Sequence, residues 1–157
     1  MPNDATFTGA DEALMRRALE LATAAGERGD VPIGAVVARG EEVLGAAGNE
    51  RELRPDPTAH AEVLALREAA AALGGWRLPG TVLYVTLEPC AMCAGAIALA
   101  RVPRLVFASA DPKTGAAGGV IDLFAEPVVN HRPTVESGLL AAEAAALLES
   151  FFSTRRA

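Results

Sequence analysis

At 157 residues, 51% of them apolar and 22% charged, the chain is long enough to bury roughly two-thirds of its unfolded surface, so a core that depends on disulfides or metal for its existence is excluded. A net charge of −6 and a pI near 4.9 exclude nucleic-acid affinity drawn from a generally basic surface, although a local cationic patch is compatible with both. No apolar run reaches bilayer-spanning length without charge, and the N-terminal MPNDATFTGADEALMRR lacks the basic-then-apolar order of an export signal, so no membrane association and a reducing, cytoplasmic setting are expected.

In chain order, residues 11–28 place Leu14, Ala18, Leu21 or Ala22, and Ala25 at helical spacing opposite a charged side, which predicts a surface helix with one buried face. VPIGAVVARGEEVLGAAGN predicts two strands joined at Arg39-Gly40-Glu41 as a hairpin. After ERELRPDPT, a helix over HAEVLALREAAAAL opens just past Pro57, with Thr58 as the expected N-cap. GGWRLPG ends that helix, Trp76 being expected to pack in the turn, and TVLYVTL reads as a buried strand. A helix over 91–101 begins at the cysteines, RLVFAS (104–109) is another buried strand, and DPKTGAAGG is a glycine-rich loop. Residues 120–137 carry no clear period, and an apolar helix is expected from Leu139 to about Phe152. Alternation of strands and helices in one domain over 1–157 predicts a three-layer α/β fold with a largely parallel part to its sheet.

The chemistry concentrates in two short segments. Cys90 and Cys93 are the only cysteines, and a C-x-x-C by itself fits a redox pair, half of a metal site, or two small core residues. His60 and Glu62 at the start of another helix favour the metal reading. Two thiolates and one imidazole leave a fourth zinc position open, which is the ligand count of a catalytic site. A helix N-terminus favours the thiolate that a metal requires. Glu62, two residues beyond His60, is placed to move protons without itself being a ligand. His131, the only other histidine, is read as structural. The loop DPKTGAAGG resembles a phosphate cradle but lacks the glycine-lysine-serine/threonine order of a nucleotide triphosphate site.

The full spacing, His60-Ala61-Glu62 followed by Pro89-Cys90-Ala91-Met92-Cys93, is the H-x-E…P-C-x-x-C signature of zinc-dependent base deaminases. With VPIGAVV, GNE, DPTAHAEVLALREAA, TVLYVTLEPCAMCAGAI, DPKTGAAGG and NHRPTVESGLLAAEAAALLESFF, nearly the whole chain resembles the bacterial tRNA-specific adenosine deaminases. The resemblance implies a cytidine-deaminase-like α/β/α sandwich around a five-stranded mixed sheet. It implies that His60, Cys90 and Cys93 bind one zinc ion per subunit and that Glu62 is the catalytic proton shuttle. It implies further that Asn49 orients the nucleoside, and that Asp111 and Lys113 lie in a loop meeting nucleotides beside the target. The implied partners are the anticodon arm of tRNA and a second copy of the chain, and the implied reaction is deamination of adenosine to inosine at the wobble position. A deaminase of free guanine or cytosine and, less favoured, a non-catalytic zinc-stabilised RNA-binding subunit are the competing readings. Arg155 and Arg156 fit either a solvated helix end or an RNA contact.

Overall fold

A computed structural model describes residues 6–155. The chain runs α1 (Gly9–Glu27), β1 (Gly34–Arg39), β2 (Glu42–Gly48), α2 (Ala61–Leu73), β3 (Val82–Leu87), α3 (Ala91–Leu99), β4 (Arg104–Ser109), one 3-10 turn (Leu123–Ala125), β5 (Thr134–Ser137) and α4 (Ala141–Arg155). The sheet order is β2-β1-β3-β4-β5. β1 pairs antiparallel with both β2 and β3, whereas β3, β4 and β5 are mutually parallel. This is the five-stranded mixed sheet of the cytidine-deaminase-like sandwich. The ambiguous stretch 120–137 resolves into the 3-10 turn and the four-residue edge strand β5, both too short to display a period.

The central strands read as continuous apolar runs because both of their faces are covered. Val36, Ala38, Tyr84, Val106 and Ala108 pack with Leu14, Met15 and Ala18 of α1 and Ala144 of α4. Their neighbours in sequence, Ala35, Val37, Leu83, Val85, Leu105 and Phe107, point the other way into a core with α2 and α3. The buried stripe of α1 is Leu14, Ala18, Ala22 and Ala25, as its spacing predicts, with Met15 added. Small residues let the helices lie directly on the strands. A Cβ on Gly34 would come within 1.9 Å of the Ala18 carbonyl oxygen of α1, and one on Gly45 within 2.1 Å of the Ala65 carbonyl oxygen of α2.

Two sequence expectations change. Helix α2 starts at Ala61 with His60 as N-cap; Thr58 instead binds back to Asp56, through its amide at 2.8 Å and its hydroxyl at 2.7 Å. Asp56 precedes Pro57 in an aspartate turn, and the Ala61 amide that a Thr58 cap would serve donates to Asn49 Oδ1 instead. Trp76 is 57% exposed rather than packed, with the Arg77 guanidinium 4.4 Å from its ring centroid.

At the end of the sheet where β4 begins, Asp11 joins three elements. It closes a capping box with Thr8, accepting from the Thr8 amide at 2.9 Å while the Thr8 hydroxyl accepts from the Asp11 amide at 3.0 Å. Asp11 also accepts from the Tyr84 hydroxyl at 2.6 Å and from Arg104 Nη1 and Nη2 at 2.9 and 3.2 Å. Arg104 Nε donates in turn to Glu136 of β5. The hydrogen bonds from Arg104 hold the Asp11 carboxyl well below the usual carboxylate range. Its stabilising contribution is therefore fully present above the unfolded value of about 3.9 and is lost as pH falls toward the lower folded value. Asp11→Asn is expected to cost about 3 kcal/mol in urea unfolding at neutral pH. The gap to the wild type should narrow as the pH is lowered below about 4.

Candidate metal and active site

The site lies at the carboxyl ends of β2, β3 and β4, where open α/β sheets leave room for ligands. β3 ends at Leu87 and Glu88-Pro89-Cys90 leads directly into α3; β2 ends at Gly48, and the following loop delivers His60 to the start of α2. His60 and Cys90 are the N-caps of their helices, yet neither side chain makes a capping hydrogen bond. Each is left to face the other. The orphan amide of Ala61 is satisfied instead by Asn49 Oδ1 at 2.8 Å, so Asn49 serves as a remote cap for α2.

Nδ1 of His60 lies 3.7 Å from Cys90 Sγ and 3.5 Å from Cys93 Sγ, and the three ligand atoms all fall within 4.8 Å of one another. Tetrahedral zinc with ordinary Zn–S and Zn–N bonds requires N···S separations of about 3.6 Å. The donors therefore fit one zinc ion in both type and spacing. Hydrogen bonding with Cys93 and then His60 holds the Cys90 thiol down to about 4. Cys93 is pushed up by the same pairing with Cys90 and by burial. His60 is raised by its bond to Cys90.

Glu62 is buried in the first turn of α2, and burial raises its carboxyl to about 7. A carboxyl tuned to that range exchanges protons at neutral pH. Asn49, His60, Glu62, Cys90, Asp111 and Lys113 line one cavity of about 610 Å³, closed on another side by Leu148 and Phe152 of α4. Every site residue singled out in the sequence except the deeper Cys93 is therefore in its wall. They do not all present free groups. The Asp111 carboxylate is engaged by the amides of Lys113 and Thr114 at 2.9 and 3.2 Å and by the Thr114 hydroxyl at 2.8 Å. The Lys113 side chain has no hydrogen-bond or ion-pair partner among the described residues.

Sequence reasoning missed Glu88. It is buried, and its carboxylate accepts from the amides of Asp111, Ala117 and Gly119 at 3.1, 3.0 and 2.8 Å. The glycine-rich loop is thus a cradle for an internal carboxylate, not for phosphate. The available signal was an acidic residue at the end of a buried strand, with a glycine-rich loop downstream to close over it. Also missed was Arg51, which lines the cavity with its Nε 3.4 Å from buried Asp30. His131 lies elsewhere, its Nε2 2.7 Å from the Val102 carbonyl, in keeping with a structural role. Arg155 stacks its guanidinium 3.7 Å from the Phe151 ring centroid, and Arg156 lies outside the described residues.

This sheet, with a His-Cys-Cys metal cluster and a buried carboxyl beside it, defines a zinc-dependent deaminase of the cytidine-deaminase-like class. A family model for MafB19-like deaminases matches residues 10–156. The chain is 47% identical over 146 residues to a tRNA-specific adenosine deaminase of Bacillus subtilis, covering 93% of this chain and 91% of that protein. It is 48% identical over 142 residues to the protein of that name from Agrobacterium fabrum, covering 90% and 93%. A solved structure from work on A-to-I editing by tRNA deaminases at the wobble position superposes with a TM-score of 0.85 at 48% identity, covering 87% of this chain and 99% of that one. A guanine deaminase from Nitrosomonas europaea matches less closely, with a TM-score of 0.75 at 28% identity over 96% of this chain and 89% of its own. The chain belongs to the tRNA-specific adenosine deaminase family.

Purified protein is expected to contain one zinc per chain. Cys90→Ser, Cys93→Ser and His60→Ala should each weaken zinc binding by more than about 100-fold, measured by competition with a chromogenic chelator. Far-UV circular dichroism should stay close to that of the wild type, because the core is apolar and independent of the ion.

Proposed function

We propose that the protein hydrolyses adenosine to inosine at the wobble position of a tRNA anticodon arm, using one zinc ion per subunit. The observation that carries the proposal is the buried Glu62 carboxyl beside a three-ligand metal cluster in one cavity, in a chain nearly half identical to enzymes bearing that name. His60, Cys90 and Cys93 would hold the ion, which when bound would supply an activated water for attack on C6 of the purine. Glu62 takes one proton from that water and delivers it to the ring nitrogen N1, then takes the second from the new C6 hydroxyl and delivers it to the departing amine as the C6 carbonyl forms. A C–O bond forms at C6, the C6–N6 bond breaks, and ammonia leaves. Asn49, whose oxygen is engaged by the Ala61 amide, keeps its N–H groups to orient the nucleoside. A base in an anticodon loop is unpaired, so bringing it into the cavity costs less than extrusion from a duplex.

An acidic chain binds RNA through local cations, and Lys113 and Arg51 at the cavity supply them. Asp111 contributes by shaping the loop that carries Lys113. Deamination of free guanine is the second reading, favoured by the structural likeness to the Nitrosomonas europaea guanine deaminase. Residues 1–157 act as a single deaminase domain, a reading supported by one sheet with helices on both faces. A homodimer is supported by Met92 and Leu99 of α3 and by Trp76, large apolar side chains exposed on the side of the molecule that carries α2 and α3. No helix among the described residues is long and apolar enough to cross a membrane. With two reduced cysteines as ligands, the cytoplasm is the compartment that suits the chemistry.

Incubation with an anticodon stem-loop carrying a wobble adenosine, and separately with free adenosine, guanine and cytosine, should yield inosine in the stem-loop. Conversion of a free base alone would contradict the proposal. Glu62→Ala should lower kcat by about 100-fold or more while zinc content stays at one per chain. Sedimentation should give a dimer that Leu99→Glu converts to monomer.

A further inference from the structure

We propose that Glu88 is a positioning residue for substrate binding, holding loop 111–119 in the shape that presents Lys113 to the cavity. This rests on the reading that the cavity takes the wobble nucleotide of an anticodon loop. Glu88 lies between the end of β3 and the first thiolate ligand, two residues before Cys90. Its Oε1 accepts from the Asp111 amide, and its Oε2 from the amides of both Ala117 and Gly119. One carboxylate therefore grips the two ends of the loop. Its own backbone joins the same strap, because the Glu88 amide donates to Ser109 O at 2.8 Å and the Ala116 amide to Pro89 O at 2.9 Å. The metal-bearing turn and the loop that bears Lys113 are thus one hydrogen-bonded unit.

The glycines in the loop report the same constraint. A Cβ on Gly119 would meet Glu88 Oε1 at 2.4 Å, Oε2 at 2.8 Å and Cδ at 2.9 Å. Its three nearest atoms all belong to that one side chain. A Cβ on Gly115 would stand 2.3 Å from Oε1 but also 2.6 Å from the Asp111 carbonyl oxygen. The loop closes on the carboxylate tightly enough that a methyl group does not fit between them. Glu88 also lines the cavity, but three backbone amides engage its carboxylate, which places it to act on the substrate through the loop.

The test compares the wild type with Glu88→Gln, Glu88→Ala, Gly119→Ala and the Glu88→Ala/Gly119→Ala pair. It measures kcat and KM on the anticodon stem-loop, zinc content, and amide hydrogen exchange of residues 111–119 in the free protein. Glu88→Gln cannot satisfy all three amides, because one of its two terminal atoms is a donor. It should raise KM about tenfold while leaving kcat within about twofold and zinc at one per chain. Gly119→Ala should raise KM similarly in the wild type and add nothing in the Glu88→Ala background, since the carboxylate it meets is gone. Additive effects of the pair, or a loss confined to kcat with KM and loop exchange unchanged, would overturn the proposal. If Glu88→Ala does not fold, the KM changes of Glu88→Gln and Gly119→Ala decide, and unchanged values in both overturn it. A wild type inactive on the stem-loop would sink the substrate reading instead. In that case faster loop exchange in Glu88→Gln still supports the strap, and unchanged exchange removes it.

Discussion

Three ligand atoms within 4.8 Å of one another, drawn from two helix N-termini that are thirty residues apart in sequence, are the constraint around which the fold is arranged. A tolerance of a few tenths of an ångström in N···S distance separates a zinc site from two thiols and a histidine near each other. The helices must therefore be seated rigidly. Gly45 lets α2 lie against the backbone of β2, and α3 leaves β3 with only Glu88-Pro89-Cys90 between them. His60 and Cys90 occupy cap positions with their side chains withheld from capping. Asn49 takes over part of that duty, which couples a cavity-lining side chain to the orientation of a metal ligand.

Buried carboxylates set the loops around this frame. Asp30 accepts from the amides of Val31 and Glu52, at 2.8 and 2.9 Å, and from Arg51, fixing the segment that leaves β2. Glu88 does the same for the segment that leaves β4. Asp11 works at the opposite end of the sheet, where it ties α1 to β3 and β4. Each buries a charge that would be costly alone and that directed donors compensate. Glu62 differs from these in its surroundings. Burial raises its carboxyl into the neutral range, which suits the proton transfer proposed for it.

Much of this is legible in the sequence because short-range physics dictates it. The hairpin turn, the apolar strands covered on both faces and the 3.6-residue stripe of α1 each follow from local pattern. The metal cluster is legible because His-x-Glu and Pro-Cys-x-x-Cys together match a known deaminase signature, and the chemistry explains why those residue types serve. Thr58 shows where local reasoning fails: it has the right chemistry for a cap, but the amide it would serve is taken by the distant Asn49 and the helix starts later. Glu88 is missed for a different reason. Its partners are amides 23 to 31 residues downstream, and no periodicity encodes a side chain bound to distant backbone. The glycine-rich loop is visible in the sequence, but the charge that it encloses is not. Trp76 is misjudged because an aromatic in a turn is compatible with either burial or exposure, and only the third dimension decides.

Two thiolates and one imidazole are expected to hold a zinc ion whose fourth position is left to the reaction. X-ray absorption at the zinc edge on the purified protein tests it most directly. Two sulfur scatterers at about 2.3 Å and two lighter scatterers at about 2.0 Å are expected, with the spectrum unchanged in His131→Ala. A first shell without sulfur, or one that changes when His131 is removed, would contradict it.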